Sequence, residues 1–433
     1  MGRACLLACL VILVAACATI APAALPPKPL DIGVDLPLTG AEARAAAPAL
    51  YGIRYFVQTH PTLDGFTVSL KVADDGAGGG PDPNRGVINV RGFLADKNLV
   101  GMLGPFDAAV ARLEIPIANV AGLAMISPAT SNPCLTRDVF TPPLLNPART
   151  TVSCKDAGLL SASELRPTHT NNFFRLTTTD ELQGAAAADY VFKKLKLLRV
   201  GVLSDHEAYG QGLAYAFSAR LTNLGGTVLG HLDLDPKKPD VSGFLKRMKG
   251  AGAQAIYYGG GTGAGGCAIR AQMGTVFPPG DATPFLGGDG IADDPACVSA
   301  AGDNGAGIFA TVPIVDGGSR PDATATIRNF KAVFGTTADY GPYTLVAYDA
   351  TAVLYSSLDR AIRYGSGGLP ERSAVTAEVG RTAGLTGVTG TLGFDPAGDT
   401  TNRIVSIFEA AASDPRTPWK LVDSVDYSAK LPY

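Results

Sequence analysis

Basic stripes with interleaved aromatics are missing from this sequence, and its formal net charge is only −3, so nucleic acid is a poor partner for it. Catalytic signatures are missing too. There is no Gly-x-Ser-x-Gly elbow, no His-Glu-x-x-His pair and no phosphate-cradling Gly-x-x-x-x-Gly-Lys, so nothing points to an enzyme. Cys-x-x-Cys pairs are absent, and the four histidines (His60, His169, His206, His231) show no ligand spacing, which leaves a zinc site without support. Charged residues make up just 17% of the chain. Past the first 25 or so residues no uninterrupted apolar run approaches the ~20 needed to cross a bilayer. What the chain does have is 46% hydrophobic residues, with 52 Gly and 31 Pro marking many turns. At 433 residues it is too long for one hydrophobic core, so two or more lobes are expected.

The N-terminus reads as an export signal: one early Arg3, an apolar run from Ala4 to Ala16, then small residues. Val14-Ala15-Ala16-Cys17 resembles the lipobox of bacterial lipoproteins, in which cleavage before the cysteine makes it the lipid-bearing first residue. Residues 1–17 would then be signal and 18–29 a Pro-rich linker. Two alternatives stay open: a signal cut later, near Ala21-Pro22-Ala23-Ala24, and an uncleaved helix from Ala4 to about Leu25. If Cys5 and Cys9 leave with the signal and Cys17 takes lipid, Cys134, Cys154, Cys267 and Cys297 remain. An even remainder in an exported chain suits two disulfides. Proximity pairs Cys134 with Cys154 and Cys267 with Cys297, though three connectivities are allowed.

Short apolar runs then alternate with helical stretches. Strands are predicted over 30–36, 66–73, 99–103 and 124–126, with helices over 48–59, 85–97 and 108–121. Continuous apolar strands in β-α-β-α order are those of a parallel sheet covered on both faces. The pattern restarts with helices over 183–195, 212–224, 241–251 and 267–274 and strands over 199–204, 227–233, 255–258 and 284–286. Residues 132–173, rich in Pro and without period, are longer than an ordinary connection and read as a surface insertion held by Cys134–Cys154. Helices near 322–334, 343–363 and 371–383 and strands near 391–394 and 404–409 complete the reading.

Several stretches, taken in order, resemble the type I periplasmic binding proteins, specifically the branched-chain amino-acid (Leu/Ile/Val) binding family of ABC transporters. They are Ile32-Gly33-Val34 with Pro37-Leu38-Thr39-Gly40, Val72-Ala73-Asp74-Asp75, Gly101-Met102-Leu103-Gly104-Pro105 and Met125-Ile126-Ser127-Pro128-Ala129-Thr130. Tyr209-Gly210-Gln211-Gly212, Tyr257-Tyr258-Gly259-Gly260, Phe285-Leu286-Gly287-Gly288-Asp289-Gly290, Tyr348-Asp349-Ala350 and Gly393-Phe394-Asp395 continue the series. The resemblance implies two doubly wound α/β lobes joined by three crossovers, with lobe one over 30–177 and 313–387 and lobe two over 178–312 and 388–433. Ligand would sit between them, at the carboxyl ends of the strands. It also implies an extracytoplasmic protein, in the periplasm or on the outer face of the cytoplasmic membrane. That protein would hand an amino acid, amide or related small molecule to an ABC permease, with no cofactor.

By the same resemblance, a ligand carboxylate would be held in lobe one by amides and hydroxyls of Ala129, Thr130 and Ser131, an anion site built without a buried Arg. Ala108 would add a backbone N–H. Here the family's hydroxyl-rich loop reads Phe106-Asp107-Ala108-Ala109, so side-chain donors are lost and an acid stands near the expected carboxylate. In lobe two, Asp289 would meet a ligand ammonium, and Tyr209 would pack on the ligand and offer its hydroxyl. Gly261 stands where the family often has a third aromatic, widening the pocket. Two other readings exist. Residues 261–266 match Gly-x-Gly-x-x-Gly after a strand, but in an exported, Gly-rich chain this reads better as a turn lining the cleft than as a dinucleotide site. A receptor subunit that feeds a membrane signalling protein is the rival to transport, since fold does not fix function.

Overall fold

The computed structural model describes residues 28–141, 152–235, 240–261, 265–277, 283–292, 294, 297–299, 307–335, 340–410, 419–429 and 431. The signal, Cys17 and the linker up to residue 27 lie outside them, as do residues 262–264 of the glycine-rich turn.

The first sheet grows from apolar runs that alternate with helices. These are β1 (Lys28–Leu36), α1 (Ala43–Thr59), β2 (Phe66–Asp74), α2 (Pro83–Ala95), β3 (Leu99–Leu103), α3 (Ala108–Val120) and β4 (Ala124–Ser127). A short strand, β5 (Phe173–Arg175), follows the insertion. The order is β5-β4-β3-β1-β2, all parallel, with Thr62–Leu63 added antiparallel at the edge. Leu30, Ile32, Val34 and Leu36 of β1 are fully buried, each contributing ~1.5–3 kcal/mol of apolar burial. A continuous apolar strand is what a sheet covered on both faces demands.

The second sheet is built from α4 (Asp180–Asp189), β6 (Arg199–Ser204), α5 (Ala208–Asn223), β7 (Thr227–Asp233), α6 (Ser242–Gly250), β8 (Ala255–Gly259) and α7 (Gly266–Val276). It continues through β9 (Phe285–Gly287) and β10 (Ile308–Val312). The chain then returns to the first sheet with α8 (Thr324–Phe334), α9 (Thr344–Tyr364) and α10 (Arg372–Gly380) before β11 (Ile404–Ala410) and β12 (Trp419–Asp426) close the second. Its order is β7-β6-β8-β9-β10-β11-β12. The doubly wound expectation holds for both sheets, with one difference: β11 pairs antiparallel with β10, and β12 with β11. An edge strand can be antiparallel because it needs no crossover helix to reach its neighbour.

Predicted boundaries shift at several ends. The first strand begins at Lys28, and the first helix at Ala43 because Pro48 lies within it rather than starting it. The helix expected over 183–195 starts at Asp180 and ends in a π-turn over Tyr190–Lys194. The strand expected near 391–394 is Gly390–Leu392, a small hairpin with Leu385–Gly387 outside both main sheets. Among the numbered strands, three went unanticipated, β5, β10 and β12, as did short pairs such as Thr62–Leu63 at the edge and Leu385–Gly387.

The three crossovers touch one another. Thr178 N–H donates to Pro313 O (2.9 Å), Arg175 N–H to Gly398 O (3.1 Å), and Ser406 Oγ to Ile314 O (2.9 Å). A charged knot ties them further. Arg175, whose side chain is 0% exposed, donates to Asp399 (2.7 Å), to Asn132 O (2.6 Å) and to Thr136 Oγ1 (2.5 Å). Arg137 bridges Asp399 (2.8 Å) and Asp395 (2.7 Å), and Arg403 reaches Asp395 as well (3.0 Å). Burial alone would raise the Asp399 carboxyl, but the guanidinium groups of Arg175 and Arg137 hold it below its ordinary value.

The insertion leaves lobe one and lies on lobe two. Its disulfide Cys134–Cys154 packs with Leu159, Phe140 and Ala208, and a second disulfide joins Cys267 to Cys297. Both are the pairings proximity favoured.

Candidate functional site

Carboxyl ends of both sheets face each other, so loops after β1, β3, β4, β6, β8 and β9 meet in one place, as open α/β sheets require of a ligand site. On the second-lobe side, Asp289 opens a 3-10 turn just after β9. Its Oδ1 accepts from Gln183 Nε2 (2.7 Å) and Tyr209 Oη (2.6 Å). Its Oδ2 accepts from Tyr343 Oη (2.5 Å), which stands just ahead of α9 and therefore belongs to the first-lobe side. One carboxylate thus gathers donors from both lobes and from the crossover helix α4. Charge-assisted hydrogen bonds of this kind are about twice as strong as neutral ones.

Local backbone explains the placement of Tyr209. A Cβ on Gly210 would stand 2.4 Å from Gly259 O, and one on Gly259 would stand 2.1 Å from Gly210 O. Only glycines let the start of α5 lie against the end of β8. Tyr209 Oη also accepts from Gly290 N–H (3.0 Å), which pins the Asp289 turn.

On the first-lobe side the amides of Ala109, Val110, Ala129 and Thr130 are already engaged. Asp107 caps α3, its Oδ1 accepting from Ala109 N–H (2.7 Å) and Val110 N–H (3.3 Å), and the Ala108 amide adds to the same field. Ser127 Oγ accepts from Ala129 N–H (3.2 Å) and Thr130 N–H (2.9 Å) while donating to Pro105 O (2.7 Å). Thr130 O accepts from Thr177 Oγ1 (2.9 Å), while Thr130 Oγ1, on a residue 2% exposed, has no partner. Ser131 O accepts from Asp180 N–H (2.9 Å), joining the loop to α4. Gly261 N–H donates to Asp205 Oδ2 (3.3 Å), and Gly261 O accepts from Tyr258 Oη (3.1 Å).

Acids dominate the electrostatics. Glu42, just before α1, is pushed up to about 8 by burial and by the charges of Asp107, Asp289 and Asp205. Asp180 is pushed to about 8, mainly by burial and against the pull of Ser131, with Asp289 and Glu181 raising it further. Burial lifts Asp205 to about 6. Beneath the first-lobe face, Asp75 is raised to about 8 by burial and by Asp35 and Asp107.

Structure thus brings Thr130, Ser131, Tyr209, Asp289 and the Ala108 helix start to one inter-lobe face, with Gly261 beside Asp205. Gln183, Tyr343, Asp180 and Glu42 were not singled out in the sequence. A visible signal existed for Gln183 and Asp180: polar residues in an otherwise Ala-rich helix start, Asp180-Glu181-Leu182-Gln183. Two concavities among the described residues lie elsewhere. One of about 480 Å³ sits at the amino ends of the second sheet's strands, lined by Leu197, Gln254, Pro284 and Phe309. The other, of about 430 Å³, lies between the insertion and α5, lined by Phe140, Leu159, Tyr215 and His231. The one grouping of possible metal ligands among the described residues, Cys267, Asp294 and Cys297, includes both sulfurs of a disulfide. No helix among these residues is long and apolar enough to cross a membrane.

Comparison with known proteins supplies the context. The profile of a family described as periplasmic binding protein matches residues 29–415. A Leu/Ile/Val-binding protein homolog of Brucella melitensis is 28% identical over 88% of this chain and 91% of its own. An amino acid binding protein of Pseudomonas aeruginosa is 25% identical over 76% of this chain and 78% of its own. Among solved structures, a leucine binding protein of Thermotoga maritima superposes with a TM-score of 0.71 at 22% identity, covering 92% of this chain and 99% of that one. A solute binding protein from R. palustris in complex with 4-hydroxybenzoate gives 0.72 at 16% identity, covering 92% and 97%.

Proposed function

The chain belongs to the periplasmic binding protein family, and on that premise we propose that it captures an amino acid or related small molecule between its lobes and delivers it to an ABC transporter permease. The lobes would be residues 30–177 with 313–387 and residues 178–312 with 388–433, closing about the crossovers. The carrying observation is the convergence on Asp289 of Tyr343 from the first-lobe side, Tyr209 from the second and Gln183 from the crossover helix. A carboxylate so placed can exchange a protein donor for a ligand donor, and closure then depends on contacts to both lobes. Thr130, Ser131, Ala129 and Ala108 would face the ligand from lobe one, and Tyr209, Gly261 and Asp289 from lobe two.

The test is a thermal-shift screen over amino acids, amides, short peptides and aromatic acids, because a solute that binds only the folded state raises the melting temperature by mass action. Solutes that raise it should also shrink the radius of gyration in solution scattering. If none in a broad screen does either, the binding role is wrong. Lipid attachment at Cys17 would keep the protein at the membrane beside its permease. Mass spectrometry of the N-terminal peptide from membranes should find a diacylglyceryl group on Cys17, and an unmodified terminus near Ala24 would rule it out.

A further inference from the structure

We infer that the ligand of this cleft is an amine or similar N–H-rich cation that carries no free carboxylate. The inference rests on the solute-binding reading above and narrows it. Its first support is the state of the donors an anion would need. The two α3 amides of Ala109 and Val110 are closed by Asp107, and the loop amides of Ala129 and Thr130 are closed by Ser127. The chain has in effect installed its own carboxylate at the α3 N-terminus, where the helix dipole favours negative charge. An incoming carboxylate would have to displace Asp107 and would meet its charge.

A second, independent support comes from buried acceptors with nothing to accept. Gln183 is 0% exposed, and while its Nε2 donates to Asp289 and to Thr311 O (2.8 Å), its Oε1 has no partner. Asp180 is 1% exposed, and neither carboxylate oxygen has a well-formed hydrogen bond, although the Ser131 hydroxyl acts on it. Asp180 feels the charge of Asp289, and its Oδ2 lies 4.0 Å from where a Cβ on Gly212 of α5 would stand, beside Phe140. Buried polar atoms without partners are rare and call for an explanation. Gln183 Oε1 can only accept, and what satisfies an acceptor is a group with N–H bonds. Asp107, Asp205 and Asp289 line that space with acids, and theirs are the charges that act on Glu42. A cation is the complement to such a surface.

The experiment is calorimetry of the purified protein with matched probes: leucine against leucinamide, which differ only in the carboxylate, and 1,4-diaminobutane against 4-hydroxybenzoate. At least one amine should bind tenfold or more tightly than its acid counterpart. Asp107→Asn and Asp107→Ser both keep a helix-capping side chain while removing the charge. Either should shift the leucinamide-to-leucine preference at least tenfold toward leucine. Tighter binding of leucine, 4-hydroxybenzoate or a neutral solute by the parent protein would overturn the inference and leave the solute-binding reading standing. An unchanged preference in both folded variants would remove Asp107 from the argument and with it the inference. Failure of every solute to bind or to compact the protein would instead sink the reading beneath it.

Discussion

Replacing Asp399 with Asn is the sharpest test of how the lobes are joined. The carboxylate is nearly buried, with its side chain 4% exposed, and it takes one bond from the fully buried Arg175 and another from Arg137. Asn keeps the shape and removes the charge, so it leaves a guanidinium in the interior without its anion. Breaking a buried pair by removing one partner typically costs ~3–5 kcal/mol. Arg175 retains Asn132 O and Thr136 Oγ1 as acceptors, and Arg137, whose side chain is 31% exposed, can turn to water, so the lower end, about 3 kcal/mol, is expected. Urea unfolding followed by circular dichroism and by the fluorescence of the single tryptophan, Trp419, measures it. The pH dependence adds a signature. Asp399 has a folded-state value below its unfolded one of about 3.9. Its contribution is therefore fully present above pH ~4 and is lost as pH falls through the folded value. The gap between parent and variant should be constant from pH 5 to 8 and shrink below 4. Because Arg175 also holds the Asn132 carbonyl beside the loop proposed to meet the ligand, affinity for whichever solute binds should fall as well. A loss under ~1 kcal/mol, or a gap that grows in acid, would refute the account of the knot as a buried pair under net stabilisation.

Three further outcomes follow from the same geometry. Tyr343→Phe removes the first-lobe donor to Asp289, a bond to a charged group worth ~1.5–3 kcal/mol; the apo protein should shift toward an open form, seen as a larger radius of gyration, and an unchanged radius would contradict it. Asp75, Asp180 and Glu42 are each raised to about 8, so the folded state binds more protons than the unfolded one between pH ~4 and 8 and stability should fall as pH rises across that range. Thermal melting at pH 5.5, 7 and 8.5 checks this, with Asp75→Asn expected to flatten the slope and a flat parent curve counting against it. Reduction of the two disulfides, which close separations of 20 and 30 residues, should cost about 3–4 kcal/mol each by the chain-entropy relation, and the denatured, unreduced protein should show no reactive thiol at these four positions.

Much of the fold could be read from one sequence because period and punctuation agreed with tertiary context. Leu99–Leu103, Arg199–Ser204 and Thr227–Asp233 were bounded correctly by apolar runs between turn residues. The strands that escaped did so for physical reasons. Phe173–Arg175 is only three residues long and ends in a charged residue whose burial makes sense only once Asp399 is beside it. Ile308–Val312 follows a glycine-rich stretch that masks its apolar run, and Trp419–Asp426, at the sheet edge, alternates polar and apolar residues with one face to water.

The candidate site was legible in a different way: its residues could be nominated, but not what they do to one another. Asp289 and Tyr209 could be nominated from their neighbours, yet nothing in the local sequence says that Tyr209 donates to Asp289 and that Tyr343, 54 residues further on, does the same from the opposite lobe. Long-range pairing of this kind leaves no period to detect. Asp107 shows the limit most clearly. As a residue in a loop it signals only an acid out of place; as the cap of α3 it closes the amides that a ligand anion would use. A capping Asp before a helix is among the commonest local signals, so its presence is explained by helix formation alone. The effect on recognition inferred for it depends on that helix start also facing the cleft, where Asp107, Asp205 and Asp289 all act on Glu42. If the inference holds, local stability and ligand selection meet in one side chain, and replacing it with Asn or Ser separates the two.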